Sequence, residues 1–248
     1  MKISLITVSF NSASTIKDTI HSVQSQDFKG IEYIIVDGNS TDGTMEIIRS
    51  AGNIVSKWIS EPDTGIYDAM NKGIKMATGE VVGIINSDDF YFSEQIISAV
   101  SKSFADDHVD AVFGNLIVVN PKNHSKVVRT YSSKNWYPEK FARGFMPAHP
   151  TFFVRRKYYE QFGLFKTDYK IAADYEMLIR LLYVNKLKYR YLPMTMVVMR
   201  KGGVSSNGLK SNLVLNQEIL RACRENGIPT NYFLIYSKYF FKLFELLT

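Results

Sequence analysis

Two adjacent carboxylates, Asp88 and Asp89, close the stretch Ile84-Ile85-Asn86-Ser87-Asp88-Asp89, directly after the apolar run Val81 to Ile85. Such a run, bounded by polar residues, reads as a buried strand, and an open α/β sheet binds its ligands in the crevice outside the carboxyl ends of its strands. Carboxylate oxygens are hard ligands of the kind Mg2+ and Mn2+ take, and a cation held there spreads the charge of a leaving diphosphate. Alone, the pair is as well explained by a polar turn, since Asp is common in turns and helix caps. The surrounding elements decide between the two readings.

Over the first 115 residues apolar runs alternate with stretches of helical period, the pattern of a mostly parallel sheet with crossover helices. The expected strands are Ile3 to Phe10, Ile31 to Val36, Val55 to Ile59, Val81 to Ile85 and Ala111 to Phe113. Between them Ile16, Ile20 and Val23 form one helical stripe, and Ile66, Met70, Gly73, Ile74 and Ala77 form another. Loops that follow successive parallel strands open at one sheet edge. Here each is polar: Ser9 and Asn11, then Asp37 to Gly43, then Glu61 to Asp68, then Asn86 to Asp89. Four polar loops on one crevice imply a ligand site. No Gly-x-Gly-x-x-Gly follows the first strand and no Gly-x-x-x-x-Gly-Lys-Ser/Thr occurs, so phosphate would be handled by a metal at Asp88. Asp37, closing the second strand, is placed to accept hydrogen bonds from a ribose or a base.

The 248 residues suit one large α/β domain, or a core domain with a smaller C-terminal addition. The net charge of +6 is unevenly spread. Residues 1–119 carry 8 Lys+Arg against 16 Asp+Glu, whereas residues 120–210 carry 18 against 5. An acidic half suited to a metal thus precedes a basic segment suited to phosphates, an anionic glycan or an anionic membrane surface. No zinc-finger, basic-zipper or RNA-recognition signature supports nucleic acid as the partner. Cys223 is the only cysteine, which leaves no intrachain disulfide or Cys-based zinc site and fits a reducing compartment. The opening Met1-Lys2-Ile3-Ser4-Leu5 runs straight into a strand without a secretory leader, so a cytoplasmic location is expected.

Five segments together resemble the inverting family 2 glycosyltransferases of the GT-A fold, especially bacterial enzymes that build surface polysaccharides. They are Thr7-Val8-Ser9-Phe10-Asn11, Val36-Asp37-Gly38-Asn39-Ser40-Thr41-Asp42-Gly43-Thr44, Asp63-Thr64-Gly65-Ile66-Tyr67-Asp68-Ala69-Met70-Asn71-Lys72-Gly73, Ala77-Thr78-Gly79-Glu80 and Asn86-Ser87-Asp88-Asp89. Further on, His149-Pro150-Thr151-Phe152-Phe153 and Ala172-Ala173-Asp174-Tyr175-Glu176 resemble acceptor-side segments of the same family. The resemblance implies a Rossmann-like sheet flanked by helices, with a catalytic domain over residues 1–205, split into a nucleotide-sugar half (1–115) and an acceptor half (116–205). A C-terminal helical extension follows at 206–248.

It also implies roles. A nucleotide sugar, expected to be UDP-linked, would lie against Thr7, Ser9, Asn11 and Asp37, with Asp68, Lys72 and Asn86 also on the nucleotide side. Mn2+ or Mg2+ would bridge its diphosphate to Asp88, with Asp89 in support. Asp174 would act as the base that removes the acceptor hydroxyl's proton in a single inverting displacement. His149, Arg200 and Ser205 would face phosphate or acceptor. Two positions depart from the family pattern: Asn86 stands where the usual Asp-x-Asp begins, and Met70 where an Arg often precedes Asn71. Lys72 is the nearest substitute for that missing positive charge, with Arg155, Arg156 and the Arg200 to Ser205 loop as further sources.

At the C-terminus Phe233, Tyr236, Phe240, Leu243 and Leu247 make an aromatic-rich stripe opposite Lys238, Lys242 and Glu245. It is too short and too interrupted to span a bilayer and suits an interface. Docking on the inner face of the cytoplasmic membrane, near a lipid-linked glycan acceptor, and packing on the core or on a second subunit are equal expectations for 231–248. Two other functions compete with glycosyl transfer: a sugar-phosphate nucleotidylyltransferase, whose Gly-rich, Arg-containing opening motif is absent, and a non-catalytic nucleotide- or carbohydrate-binding module.

Overall fold

The computed structural model describes residues 1–202 and 208–245, with Leu209 and 240–245 described by their backbone alone. Four parallel strands come first: β1 (Ile3–Ser9), β2 (Ile31–Asp37), β3 (Lys57–Ser60) and β4 (Val81–Ile84), in the order β3-β2-β1-β4. Their continuous apolar character follows from burial on both faces. Ile6 and Val8 of β1 and Ile34 and Val36 of β2 point into one core, while Ile3, Leu5, Tyr33 and Ile35 point into the other. The crossover helices α1 (Ile16–Gln24), α2 (Thr44–Ser50) and α3 (Ile66–Met76) cover these faces. Helix α3 lies so close to β1 that a Cβ at Gly73 would overlap Ile6. Ile66, expected in the buried stripe, instead stands exposed at the start of α3, and Val55 precedes β3 because Gly52–Ile54 forms a 3-10 turn.

Beyond β4 the sheet turns mixed. Strand β8 (Phe153–Arg155) runs antiparallel to β4 and to β6 (Ala111–Asn120). Strand β9 (Tyr189–Arg200) runs parallel to β6, and β5 (Phe90–Tyr91) pairs antiparallel with the far end of β9. The exposed strand β7 (Asn123–Tyr131) completes a hairpin with β6. Helices α4 (Ile96–Phe104) and α5 (Lys157–Phe162) flank the sheet, and α6 (Ala173–Leu178) continues into a π-helical turn at Ile179–Val184.

The chain ends in α7 (Gly208–Glu225) and α8 (Tyr232–Glu245). On α8 the face turned inward carries Ile235 and Lys238, so Lys238, expected on the polar side, is buried. Gly144, at φ 74°, has no side chain to block the lysine stem that passes over it. Phe233 is 83% exposed, and Tyr232 and Tyr236 are exposed beside it. No helix among the described residues is long and apolar enough to cross a membrane.

Candidate active site

The turn after β4 is built around one carboxylate that is free among the described residues. The Asp89 N–H donates to the Asn86 carbonyl at 3.1 Å, and Thr19 Oγ1 reaches the carbonyls of Ser87 (3.0 Å) and Asp89 (2.7 Å) from α1. The Ser12 and Ser87 hydroxyls meet at 2.8 Å. Arg200, arriving at the end of β9, donates to the Asp88 carbonyl at 2.5 Å and to His124 at 3.2 Å, pairs with Asp18, and lies over the Phe90 ring. Asp88 is thereby fixed by its backbone, while its carboxylate makes no hydrogen bond or ion pair with the described residues.

Beside it, Asn86 Oδ1 and Asp89 Oδ1 are buried without a partner among the described residues. Burial, then the charge of Asp88, hold the Asp89 carboxyl well above its ordinary range. A hard divalent cation would supply what these oxygens lack, and the residues fit one. Among the described residues no group of three His, Cys, Asp or Glu forms a metal site by itself, so diphosphate and water oxygens would complete the shell, as Mg2+ habitually requires. Arg200 does not offer a free guanidinium to phosphate: it is 8% exposed, with its N–H groups directed at Asp18, Asp88 and His124.

The nucleotide-side residues divide sharply. Asn11 and Asn39, at φ 48° and 65°, carry the chain around the ends of β1 and β2 in the left-handed conformation that Asn tolerates. Asn11 Oδ1 accepts the Thr41 N–H at 3.0 Å, and its own N–H donates to Ser40 Oγ at 2.8 Å. Thr7, expected at the nucleotide, is wholly buried with its hydroxyl 3.0 Å from Tyr33. Asp37 is also fully buried. Its carboxylate accepts Ser9 Oγ (3.0 Å), Ser40 N (2.9 Å), Ser40 Oγ (2.5 Å) and Ser60 Oγ (2.7 Å), which saturates its lone pairs. Both residues order the crevice from beneath, and Ser9 lies buried with them.

The groups that do face the crevice include two that the sequence reading passed over. Phe10 is 65% exposed at the end of β1, and Asp63 reaches toward Gly38, where a Cβ would fall 2.6 Å from its Oδ2. Asp68 accepts the Thr64 N–H at 3.1 Å and so closes its own turn. Lys72 is held by Glu61 at 2.9 Å and by the Pro62 carbonyl at 2.8 Å, with Asp68 at 3.9 Å. Its charge is already matched by carboxylates, so it does not stand in for the missing Arg. Nor do Arg155 and Arg156. Arg155 pairs in register with Val81, at the opposite edge of the sheet, and both guanidiniums bond carbonyls there.

A third group assembles around Asp174. His149 Nδ1 lies 3.1 Å from Asp174 Oδ2, although 25 positions separate them in sequence. Asp174 Oδ1 accepts the Tyr175 N–H at 2.8 Å and lies 3.5 Å from the Tyr67 hydroxyl, which donates to the Ile171 carbonyl. Burial, then the Asp174 charge, push the Tyr67 phenol far up, so it stays a donor. Asn71, also on α3, exchanges two bonds with the Phe165 backbone at 2.8 and 2.9 Å. Tyr67 and Asn71, from the same motif as Asp68 and Lys72, thus grip the loop leading to Asp174. Asp174 keeps 15% of its side chain exposed and His149 33%, so both remain reachable by a ligand. Ser205 lies outside the described residues.

A sheet that begins β3-β2-β1-β4, turns mixed beyond β4 and is flanked by helices is the architecture of GT-A glycosyltransferases. The chain belongs to glycosyl transferase family 2, whose model matches residues 4–163. Among relatives, a glycosyltransferase of Mycobacterium tuberculosis described as uncharacterised is 36% identical over 97 residues. That stretch is 39% of this chain and only 37% of the relative, so well under half of its length is matched. A PGL/p-HBAD biosynthesis glycosyltransferase of Mycobacterium bovis is 28% identical over 223 residues, 88% of this chain and 82% of that one.

Among solved structures, TarS 1-349 of S. aureus in complex with UDP-GlcNAc superposes with a TM-score of 0.72 at 20% identity, covering 92% of this chain and 68% of that chain. The mannosyltransferase PcManGT of Pyrobaculum calidifontis, in complex with GDP-Man and Mn2+, gives 0.67 at 22% identity, covering 90% and 63%. At these identities the likeness is one of fold.

Proposed function

We propose that this enzyme transfers a sugar from a nucleotide diphosphate donor, UDP-linked, to a hydroxyl of a glycan or lipid-linked glycan, with inversion at the anomeric carbon. The observation that carries the reading is the carboxylate of Asp88, unpaired among the described residues and held by its backbone at the crevice edge beside two buried oxygens that have no partner among them either. Asp88, with Asn86 and Asp89, would hold Mn2+ or Mg2+. Bound there, the cation would stabilise the leaving diphosphate. Phe10 offers an exposed ring for the base to pack on, and Asn11 and Asp63 line the same crevice.

Asp174 is the base in this reading: it takes the acceptor hydroxyl's proton as that oxygen attacks, while His149 and Tyr67 hold its two oxygens in place. The acceptor is expected to be anionic. A cavity of about 570 Å3 lies between the end of β7 and the 135–146 segment, lined by Arg129, Lys140 and Arg143 above Tyr131 and Trp136. Among the described residues none of the three cations has a carboxylate at ion-pair distance. Their loop is tied to the catalytic segment through the Tyr131 hydroxyl on the Met146 carbonyl at 2.6 Å, three residues before His149. The exposed aromatics of α8 support peripheral contact with the cytoplasmic face of a membrane, where such an acceptor would be anchored.

The test is turnover of a panel of UDP- and GDP-sugars with Mn2+, read as nucleotide release with and without phosphorylated glycan acceptors. Release from one UDP-sugar, lost in Asp174→Asn while UDP binding persists, is the expected result. Binding without turnover across the panel would reduce the chain to a binding module.

A further inference from the structure

We propose that Glu218, on the C-terminal helix α7, is a positioning residue for Asp174. The inference rests on the reading of Asp174 as the base. Residues 163–172 form no regular element, yet they set the direction in which α6 begins and therefore where Asp174 points. An irregular segment of this kind must find partners for its backbone groups elsewhere. Three successive N–H groups, those of Lys170, Ile171 and Ala172, converge on the Glu218 carboxylate at 2.7, 2.9 and 2.9 Å. Consecutive backbone donors of this form make an anion-binding concavity, and here a side chain of the protein itself fills it.

Ile171 is consequently held from both sides, its N–H by Glu218 and its carbonyl by Tyr67. Tyr67 is also the residue that approaches Asp174 Oδ1. The same face of α7 supports the loop further back. Arg221 pairs with Asp168 and lies 4.2 Å from the Tyr169 ring centre. Glu225 accepts the Tyr169 hydroxyl at 2.9 Å and pairs with Lys166 at 2.9 Å, while Lys166 also reaches the buried Glu176 at 3.0 Å. Arg221 and Glu225 fix residues 166–169, and of these three α7 side chains Glu218 alone binds the residues from which α6 departs. Its position lies outside the segment matched by the family model, so α7 supplies to this chain's catalytic loop something the family match does not cover.

The test uses the full chain with UDP, Mn2+ and the donor found in the panel. Glu218→Gln keeps the size of the side chain but loses the charge and one acceptor oxygen. It is expected to lower kcat about 10- to 100-fold, the scale of a misplaced catalytic group, while KM for the donor and UDP affinity stay within about twofold. Amide exchange should quicken at 170–174 and stay unchanged in β1 and β4. A base that is out of place loses nothing further when it is absent, so in the Asp174→Asn background Glu218→Gln should leave residual turnover unaltered. Glu218→Asp, which keeps the charge, should recover part of the rate, and it carries the test if the Gln variant folds poorly.

Wild-type turnover in Glu218→Gln, or the same fold-loss in both backgrounds, would overturn the proposal while leaving the base assignment standing. Wild-type turnover in Asp174→Asn would remove the base assignment and this proposal with it.

Discussion

Removing the imidazole at His149 separates the orientation of Asp174 from its chemistry. In the structure Asp174 has three contacts: His149 Nδ1 at 3.1 Å on one oxygen, and the Tyr175 N–H at 2.8 Å with the more distant Tyr67 hydroxyl at 3.5 Å on the other. His149→Ala deletes the only partner that Oδ2 has among the described residues and leaves that oxygen free to rotate or to hydrate. A hydrogen bond to a charged group contributes about 1.5–3 kcal/mol. At about 1.4 kcal/mol for each factor of ten, the loss in kcat is about 10- to 150-fold if the bond is fully formed in the transition state. The retained Tyr175 bond places the expectation at the lower end. Among the described residues no hydrogen bond or ion pair joins His149 to Asn86, Asp88 or Asp89, so KM for the donor should change by less than about twofold.

The assay is initial-rate nucleotide release for wild type, His149→Ala, Asp174→Asn and the double variant. Removing a general base costs about 10² to 10⁴ in rate, and the double variant should be no worse than Asp174→Asn alone. Additive losses, or a rise in KM with kcat unchanged, would refute the argument that the imidazole acts through Asp174 and point instead to direct contact with the donor.

Three further outcomes follow from particular contacts. Arg200→Met removes the hydrogen bond to the Asp88 carbonyl and strands Asp18, so metal-supported UDP affinity should fall about tenfold in calorimetry, with metal-free affinity unchanged. Burial alone would raise the Glu32 and Glu225 carboxyls. The hydrogen bonds of Ser4, Thr78, Lys57 and Lys2 to the first, and of Lys166, Arg221 and Tyr169 to the second, outweigh it and hold Glu32 far below and Glu225 at about 2. Both are depressed in the folded state, so their contribution is present above the unfolded value of 4.5 and is lost as pH falls toward 2. Thermal midpoints should thus drop steeply below about pH 4.5, less so in Glu225→Gln. Phe233→Ser with Tyr236→Ser should abolish pelleting with anionic vesicles and leave turnover of a soluble acceptor intact; equal pelleting would remove the membrane from the account.

Much of the first half was legible because the physics there is local. Strands buried on both faces read as unbroken apolar runs, and parallel strands separated by amphipathic helices fix which loops share an edge. The direction of individual side chains was not legible. Thr7 and Asp37 lie at the expected strand ends, but the pleat turns Thr7 onto Tyr33, and three serines saturate Asp37. Residue type names a chemistry without saying which side of the backbone carries it.

The pairing of His149 with Asp174 depends on how the 3-10 turn at His149–Thr151 meets the start of α6, a contact with no sequence period. The grip of α7 on the 166–172 loop is of the same kind. Lys238 shows the converse failure: a lysine opposite an aromatic stripe reads as solvent-facing, yet glycine at position 144 makes room for its stem. Phe10 closed the expected strand as one more apolar residue, so nothing in the sequence marked it as the exposed ring that it is.

The most direct test of the account is calorimetric titration of the protein with UDP, first with Mn2+ and then with a chelator, repeated on Asp88→Ala. Binding that requires both the metal and Asp88 is the predicted result. UDP binding of equal strength with and without metal, unchanged in Asp88→Ala, would contradict it.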